Sequence, residues 1–253
     1  MGRSSIAIFL LIAAAPLVVV SAKEPTVEAF EQANTLYEQK QYEQAIEVYQ
    51  TVLASGVESA ALYFNLGNAC FKQGDLGQAI LNYLRARRLD PSDEDIRHNL
   101  QFARQFARVQ MEGVELNPIK SFVVLLIDNY HLSTLAWVSE SLFISLILLL
   151  ILRFGLGFTS SPLRVGIALT LILVLFAIGL TTFKYRHDFL TRRAVIIAEE
   201  APVQTGPSAQ SDLELQGAPG LVVQILDESS DYYNVLFENK RRGWIRKDLV
   251  AEI

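Results

Sequence analysis

Residues 61–93 read ALYFNLGNACFKQGDLGQAILNYLRARRLDPSD. Tyr63, Leu66, Gly67, Cys70, Ala79, Tyr83 and Pro91 stand in it at fixed spacings. The key positions recur 34 residues earlier, with Ala33 for Gly67, Ala45 for Ala79 and Tyr49 for Tyr83. A period of this length predicts one supersecondary unit used twice. Leu66, Phe71, Ile80 and Tyr83 recur at helical spacing, so each unit reads as a pair of amphipathic helices. Gly67 and Ala79 are small enough to let the paired helices approach closely. Gly74 and Asp75 make the turn between them, and Asp90-Pro91 ends the second helix.

These positions resemble the tetratricopeptide pattern, which implies an all-α repeat unit with a concave surface for other polypeptides and no chemistry of its own. The stretch DEDIRHNLQFARQFARV follows, with Ile96, Leu100, Ala103 and Ala107 on one stripe and Leu100 placed 34 residues after Leu66. It predicts a capping helix or degenerate third repeat over about Ser92 to Met111. Two repeats and a cap leave an apolar face for a neighbour or partner to cover. The resemblance places the first helix of each pair on the concave face. That face would present Phe30, Asn34 and Tyr37, then Phe64, Asn65, Asn68, Phe71 and Lys72. An asparagine at the position of Asn34 and Asn68 can hydrogen-bond an extended backbone, since an amide both donates and accepts. Phe30 and Phe64 stand where a carboxylate clamp would have lysine, so the groove reads as apolar and amide-lined. The alternative is that these aromatics only pack against the capping helix.

Hydrophobic residues make up 51% of the 253-residue chain, an excess concentrated in three segments. The first, IAIFLLIAAAPLVVV after Arg3 and before Val20-Ser21-Ala22, predicts a secretory leader over residues 1–22, or else an uncleaved anchor. The others, residues 132–152 and 163–183, are each 21 residues long, enough for one helical crossing. Residues 23–112 then hold the repeats and cap, 113–131 a linker or interfacial segment containing Phe122 to Ile127, and 153–162 a cytoplasmic loop. Exported repeats, an inward and an outward crossing and an exported tail are expected at a bacterial inner membrane. Arg153 and Arg164 in the loop agree with the positive-inside tendency, whereas Lys184, Arg186, Arg192 and Arg193 oppose it. Glu140 is the only acid within the crossings. It reads as a proton relay, or as a carboxylate reaching headgroups or bonding Ser139 or Ser141.

Beyond the crossings the pattern alternates with period two. Val222, Gln224 and Leu226 interleave with Val223 and Ile225, and Gly206-Pro207, Ala218-Pro219-Gly220 and Glu238-Asn239-Lys240 are turn signals. Residues 190–253 predict a small all-β barrel of about five strands. Asp231-Tyr232-Tyr233-Asn234-Val235, Arg242-Gly243-Trp244-Ile245 and Lys247-Asp248-Leu249-Val250 resemble the hairpin, the following strand and the closing turn of bacterial SH3-like domains. That resemblance implies a peptide or cell-wall surface at Tyr232, Tyr233 and Trp244. The alternative is that Trp244 and one tyrosine fill the core.

Chemistry is hard to find. His98, His131 and His187 make no metal spacing, and Cys70 is the sole cysteine, so no internal disulfide forms. No P-loop, dinucleotide fingerprint or serine elbow is present. The net charge of −5 and the expected export speak against nucleic acid. No enzyme activity, cofactor or metal is expected. The order of repeats, crossings and β tail, with DPSDEDIRHNLQFAR at the junction, resembles the BatE-like family of the bacterial aerotolerance operon. That resemblance implies work beside von Willebrand factor A membrane proteins and a MoxR-type ATPase, in envelope assembly or stress tolerance. The expected function is a membrane-anchored protein-binding scaffold. The alternatives are peptidoglycan attachment through the tail and an ion-coupled membrane component centred on Glu140.

Overall fold

A computed structural model describes residues 24–107 and 118–253. The expected leader over residues 1–22 lies outside the described residues, as do Met111 and the first part of the 113–131 segment. Helices α1 (Glu24–Glu38) and α2 (Tyr42–Ala54) form the first hairpin, α3 (Ala60–Gln73) and α4 (Leu76–Leu89) the second, and α5 (Glu94–Phe106) follows. Each helix packs on the next, and α3 also touches α1 and α5. Local chemistry repeats with the sequence. Ser59 caps α3 by accepting from the Leu62 N–H, and 34 residues on Asp93 caps α5 by accepting from Asp95 and Ile96. The second hairpin turns through Gly74 at φ 92°, and Asp75 caps α4. The first places Lys40 at φ 63°, while Gln41 makes no side-chain cap. A left-handed lysine costs about 1–2 kcal/mol and a missing cap about 1 kcal/mol, so the first repeat is held by packing more than by its turn.

That packing depends on small residues. Ala33, Ala45, Ala69 and Ala79 are fully buried. A Cβ on Gly67 would lie 2.8 Å from the Tyr83 ring, so this glycine is what lets α3 and α4 close. Cys70 is 3% exposed. Burial pushes its thiol up to about 12, which leaves it an inert core side chain.

Seven short antiparallel strands follow: β1 Arg193–Ile196, β2 Ala201–Gln204, β3 Leu213–Gly217, β4 Val222–Ser229, β5 Tyr232–Leu236, β6 Arg242–Arg246 and β7 Val250–Glu252. Their order is β3-β2-β6-β5-β4-β1-β7. The sheet thus has more strands than the five expected, because the short β1 and β7 pair at its end. No ladder joins β3 to β7 among the described residues. The sheet curls instead, with register shifts at Val203/Gln204 and Ile225/Asp227, around Ala194, Ile196, Val223, Val235, Phe237 and Ile245.

The sheet's outer face at β1, β4 and β7 docks on the helices. Val195 is fully buried in the helical core, with Val222, Ala251 and Ile253 packed beside it. Gly77, in the first turn of α4, meets the backbone of Ile197 so closely that a Cβ would lie 2.7 Å from its Cα and 2.8 Å from its carbonyl oxygen. Arg85 donates to the Glu252 carbonyl at 2.6 Å and Arg88 to that of Ile253 at 2.9 Å. The apolar face left by the repeats is therefore covered in part from within the chain.

Between the helical and β regions lie two apolar helices. α7 (Leu132–Leu150) continues through a π-helical turn to Gly155, and α8 (Ser161–Tyr185) through another to Leu190. Both are long and apolar enough to cross a membrane. The second extends past its apolar stretch, where Lys184 pairs with Asp188 one turn on at 2.9 Å. The two helices pack together, and Ser139 Oγ lies 3.0 Å from Thr181 Oγ1 across the seam. Ser141 donates to the Trp137 carbonyl, so neither neighbouring serine is engaged with Glu140, which is exposed. Helix α6 (Pro118–Ile127) rests on α8 with Ile127 buried and Phe122 exposed.

Replacing Gly77 by Ala pushes backbone against backbone at the docking seam. The G77A protein should lose about 1–3 kcal/mol, as overpacked interiors do. Gly166, whose added Cβ meets nothing within 4 Å, gives the control variant. Denaturant unfolding of the two checks this, and equal stabilities would mean that the seam is not tight.

Candidate functional site

The concave side of the repeats is organised by a ladder of amides. Asn34 Oδ1 accepts from the Tyr49 hydroxyl at 2.7 Å and from Asn65 Nδ2 at 2.9 Å. One period on, Asn68 Oδ1 accepts from the Tyr83 hydroxyl at 2.7 Å and from Asn99 Nδ2 at 2.8 Å. Each rung joins the two helices of one repeat to the first helix of the next. Because Asn99 on α5 occupies the place that Asn65 has on α3, α5 is the first helix of a third, half repeat. Burial raises the pKa of both hydroxyls, that of Tyr49 to about 12, so each stays protonated as the donor its rung requires.

Glu31, Asn34, Tyr37, Glu38, Tyr49, Asn65 and Asn68 line an open cleft of about 280 Å³. Of the residues expected in the groove, Asn34, Tyr37, Asn65 and Asn68 thus come together. Phe30 and Phe64 turn to packing instead, each 6.0 Å centroid to centroid from the tyrosine of its own repeat, Tyr49 and Tyr83. Phe71 packs against Phe102 and Phe106 of α5 at 5.7 and 5.6 Å, tilted to the first ring and edge-on to the second, and Lys72 is exposed outside the cleft. The cleft is therefore lined by amides and by the carboxylates of Glu31 and Glu38, with neither Phe30 nor Phe64 in its wall. Glu31, Glu38, Tyr49 and Asn99 escaped the sequence reading as groove or rung residues. The 34-residue spacing of Asn65 to Asn99 carries the signal for the second rung.

On the sheet, the expected aromatic surface divides. Tyr233 lies opposite Ile245, on the core side. Its hydroxyl donates to Glu252 Oε1 at 3.0 Å, and Lys247 and Arg192 stand over its ring at 5.0 and 5.6 Å. Trp244 lies opposite both Gln204 and Asn234, and Tyr232 opposite Arg246, on the outer face. Trp244 is half-buried there, away from the core that Ile245 fills. Gln204 Oε1 and Asn234 Oδ1 beside it are buried acceptors without a partner among the described residues.

The rung is testable by a double-mutant cycle. Tyr83→Phe alone should cost about 0.5–1.5 kcal/mol, the net worth of a hydrogen bond. Tyr83→Phe and Asn68→Ala together should cost less than the sum of the single changes. Strict additivity in thermal unfolding would mean that the two side chains do not share a bond.

A tetratricopeptide repeat family model matches residues 30–94, which run from within α1 to the start of α5. No curated protein sequence matches the chain. Repeats of this kind hold protein partners, and helices α1 to α4 with the ladder at their concave face form a tetratricopeptide-like region.

Proposed function

We propose that the protein is a membrane-anchored scaffold that holds an extended segment of a partner protein in the cleft of its repeats. The observation that carries this is the ladder. It spends the amide oxygens of Asn34 and Asn68 on the fold and leaves the Asn68 amide N–H groups with no bond among the described residues. Such N–H groups suit the carbonyls of a passing backbone, and Glu31 and Glu38 on the rim suit lysine or arginine side chains. The mechanism is binding, with no bond made or broken.

Anchoring rests on the α7–α8 hairpin. Its two outer ends lie together where the sheet meets the repeats, so a bilayer crossed by both helices leaves repeats and sheet on one side. We place that side outside the cytoplasm, at a bacterial inner membrane, with partners of the von Willebrand factor A and MoxR-associated kind and a role in envelope assembly. Protease added to spheroplasts should then reach both the repeats and the sheet. Protection of both would reverse the orientation. The outer face at Trp244 favours a second reading, in which the SH3-like sheet binds a donor-rich ligand such as a cell-wall peptide through Gln204 and Asn234.

Anisotropy of labelled peptides on the full chain in detergent separates the two. Basic extended peptides should bind, and E31Q with E38Q should weaken them about two- to tenfold at low salt while leaving the fold intact. Affinity unmoved by those changes rules out the cleft. If Trp244→Ala alone removes binding, the sheet is the site.

A further inference from the structure

We propose that the cavity where the repeats, the outer end of the helical hairpin and the sheet converge binds a phosphate-bearing anion, the headgroup of an anionic lipid. Its volume is about 240 Å³. Arg87, Arg88, Lys184 and Arg193 line it against two side-chain carboxylates, Asp128 and Asp188. Among side chains that is four cations to two anions, an excess of two positive charges before either histidine of the lining protonates. The carboxylates are already engaged, Asp128 with Arg87 at 3.1 Å and Asp188 with both Lys184 and His187 at 2.9 Å. Arg88 donates to the Ile253 carbonyl. The Arg193 side chain makes no hydrogen bond or close ion pair among the described residues, although Asp188 and Asp128 act on it from a distance, and Lys184 is 5% exposed. Burial lowers the Arg193 pKa first, opposed by Asp188, and the repulsion of Arg87 and Arg88 adds to the lowering. A bound anion would relieve that crowding.

Position argues for a lipid source. Leu132 and Phe189, at the first turn of α7 and the last turn after α8, lie in the same lining. The walls therefore change from charged to apolar where the hairpin would enter a bilayer. A headgroup with its glycerol and acyl chains presents the same change. Lys and Arg near an anionic bilayer surface are drawn to its headgroups. The inference rests on the hairpin spanning a bilayer.

The test uses the full chain reconstituted in phosphatidylcholine vesicles with or without phosphatidylglycerol, with thermal unfolding as the readout. Phosphatidylglycerol should raise the Tm of the wild type by mass action. R193Q should bind it about fivefold more weakly, as expected for one cation near an anionic surface. R193K should restore binding. R242Q, an exposed strand position away from the cavity, should behave as wild type. If R193Q fails to fold, R88Q gives the same reading. Inorganic phosphate is added to the phosphatidylcholine sample in parallel. A rise with phosphate alone, lost in R193Q, upholds the anion site and assigns it a soluble ligand. Equal Tm with both lipids and no effect of phosphate overturns the site, as does a rise that R193Q retains. Failure of the protein to enter vesicles overturns both the membrane reading and the site, whereas insertion without selectivity overturns the site alone.

Discussion

The close approach of α4 to the first sheet strand constrains the rest of the molecule. A strand normally buries one face and leaves the other to solvent or side chains of its own domain. Here β1 buries both: Ala194 and Ile196 enter the sheet's own core, and Val195 enters the core of the helices. Gly77 allows it, since any side chain there would meet the Ile197 backbone. Two cores that would each be small meet at Val195 of β1, with Val222 and Ala251 of the flanking strands beside it. The coupling is short-range and steric, so it tolerates little drift of the sheet across α4. Arg85 and Arg88 add directional bonds to the carbonyls of Glu252 and Ile253 at the seam.

The docking also changes what the two binding surfaces are to each other. On a flexible tether, repeats and tail would act as independent weak sites whose effective concentration is set by the linker. With the sheet packed on α4, the cleft on the concave face and Trp244 on the free part of the sheet stand at fixed positions. A partner that engaged both would have to match that spacing. The amide ladder applies the same restriction within the cleft. Oδ1 of Asn34 and of Asn68 accepts two bonds from the fold, so the rungs offer ligands donors rather than acceptors, and the acceptors come from Glu31 and Glu38.

Much of this was legible in the chain. The 34-residue period, the small residues at Gly67 and Ala79, the Gly74-Asp75 turn and the two apolar helices follow from spacing and composition, because they are local. The docking of β1 on α4 was not legible, since residues 77 and 197 are related by no period and Gly77 reads as an ordinary helix-start residue. The third half repeat was visible only as a stripe, because α5 keeps Asn99 but has Phe102 where α3 has Asn68. The acidic rim was missed because the family pattern drew attention to Phe30 and Phe64, which their own tyrosines absorb. Tyr232 and Tyr233 were grouped although strand alternation sends adjacent residues to opposite faces. Parity alone would have put Tyr232 with Trp244 and sent Tyr233 inward.

The basic residues after α8 show how tertiary pairing alters a sequence rule. Counted as charges, Lys184, Arg186, Arg192 and Arg193 resist an outward placement. In the fold, Lys184 is paired with Asp188, and Arg192 with Glu252 at 2.8 Å and Glu228 at 3.6 Å. Those two cations bring their own counter-ions, one of them from the last strand of the chain, so their bare count overstates the field a membrane would feel. Glu252 reaches Arg192 only where β7 lies beside β1, which ties this neutralisation to the folding of the sheet. Arg186 and Arg193 make no ion pair among the described residues, and of the two it is Arg193 that lines the cavity.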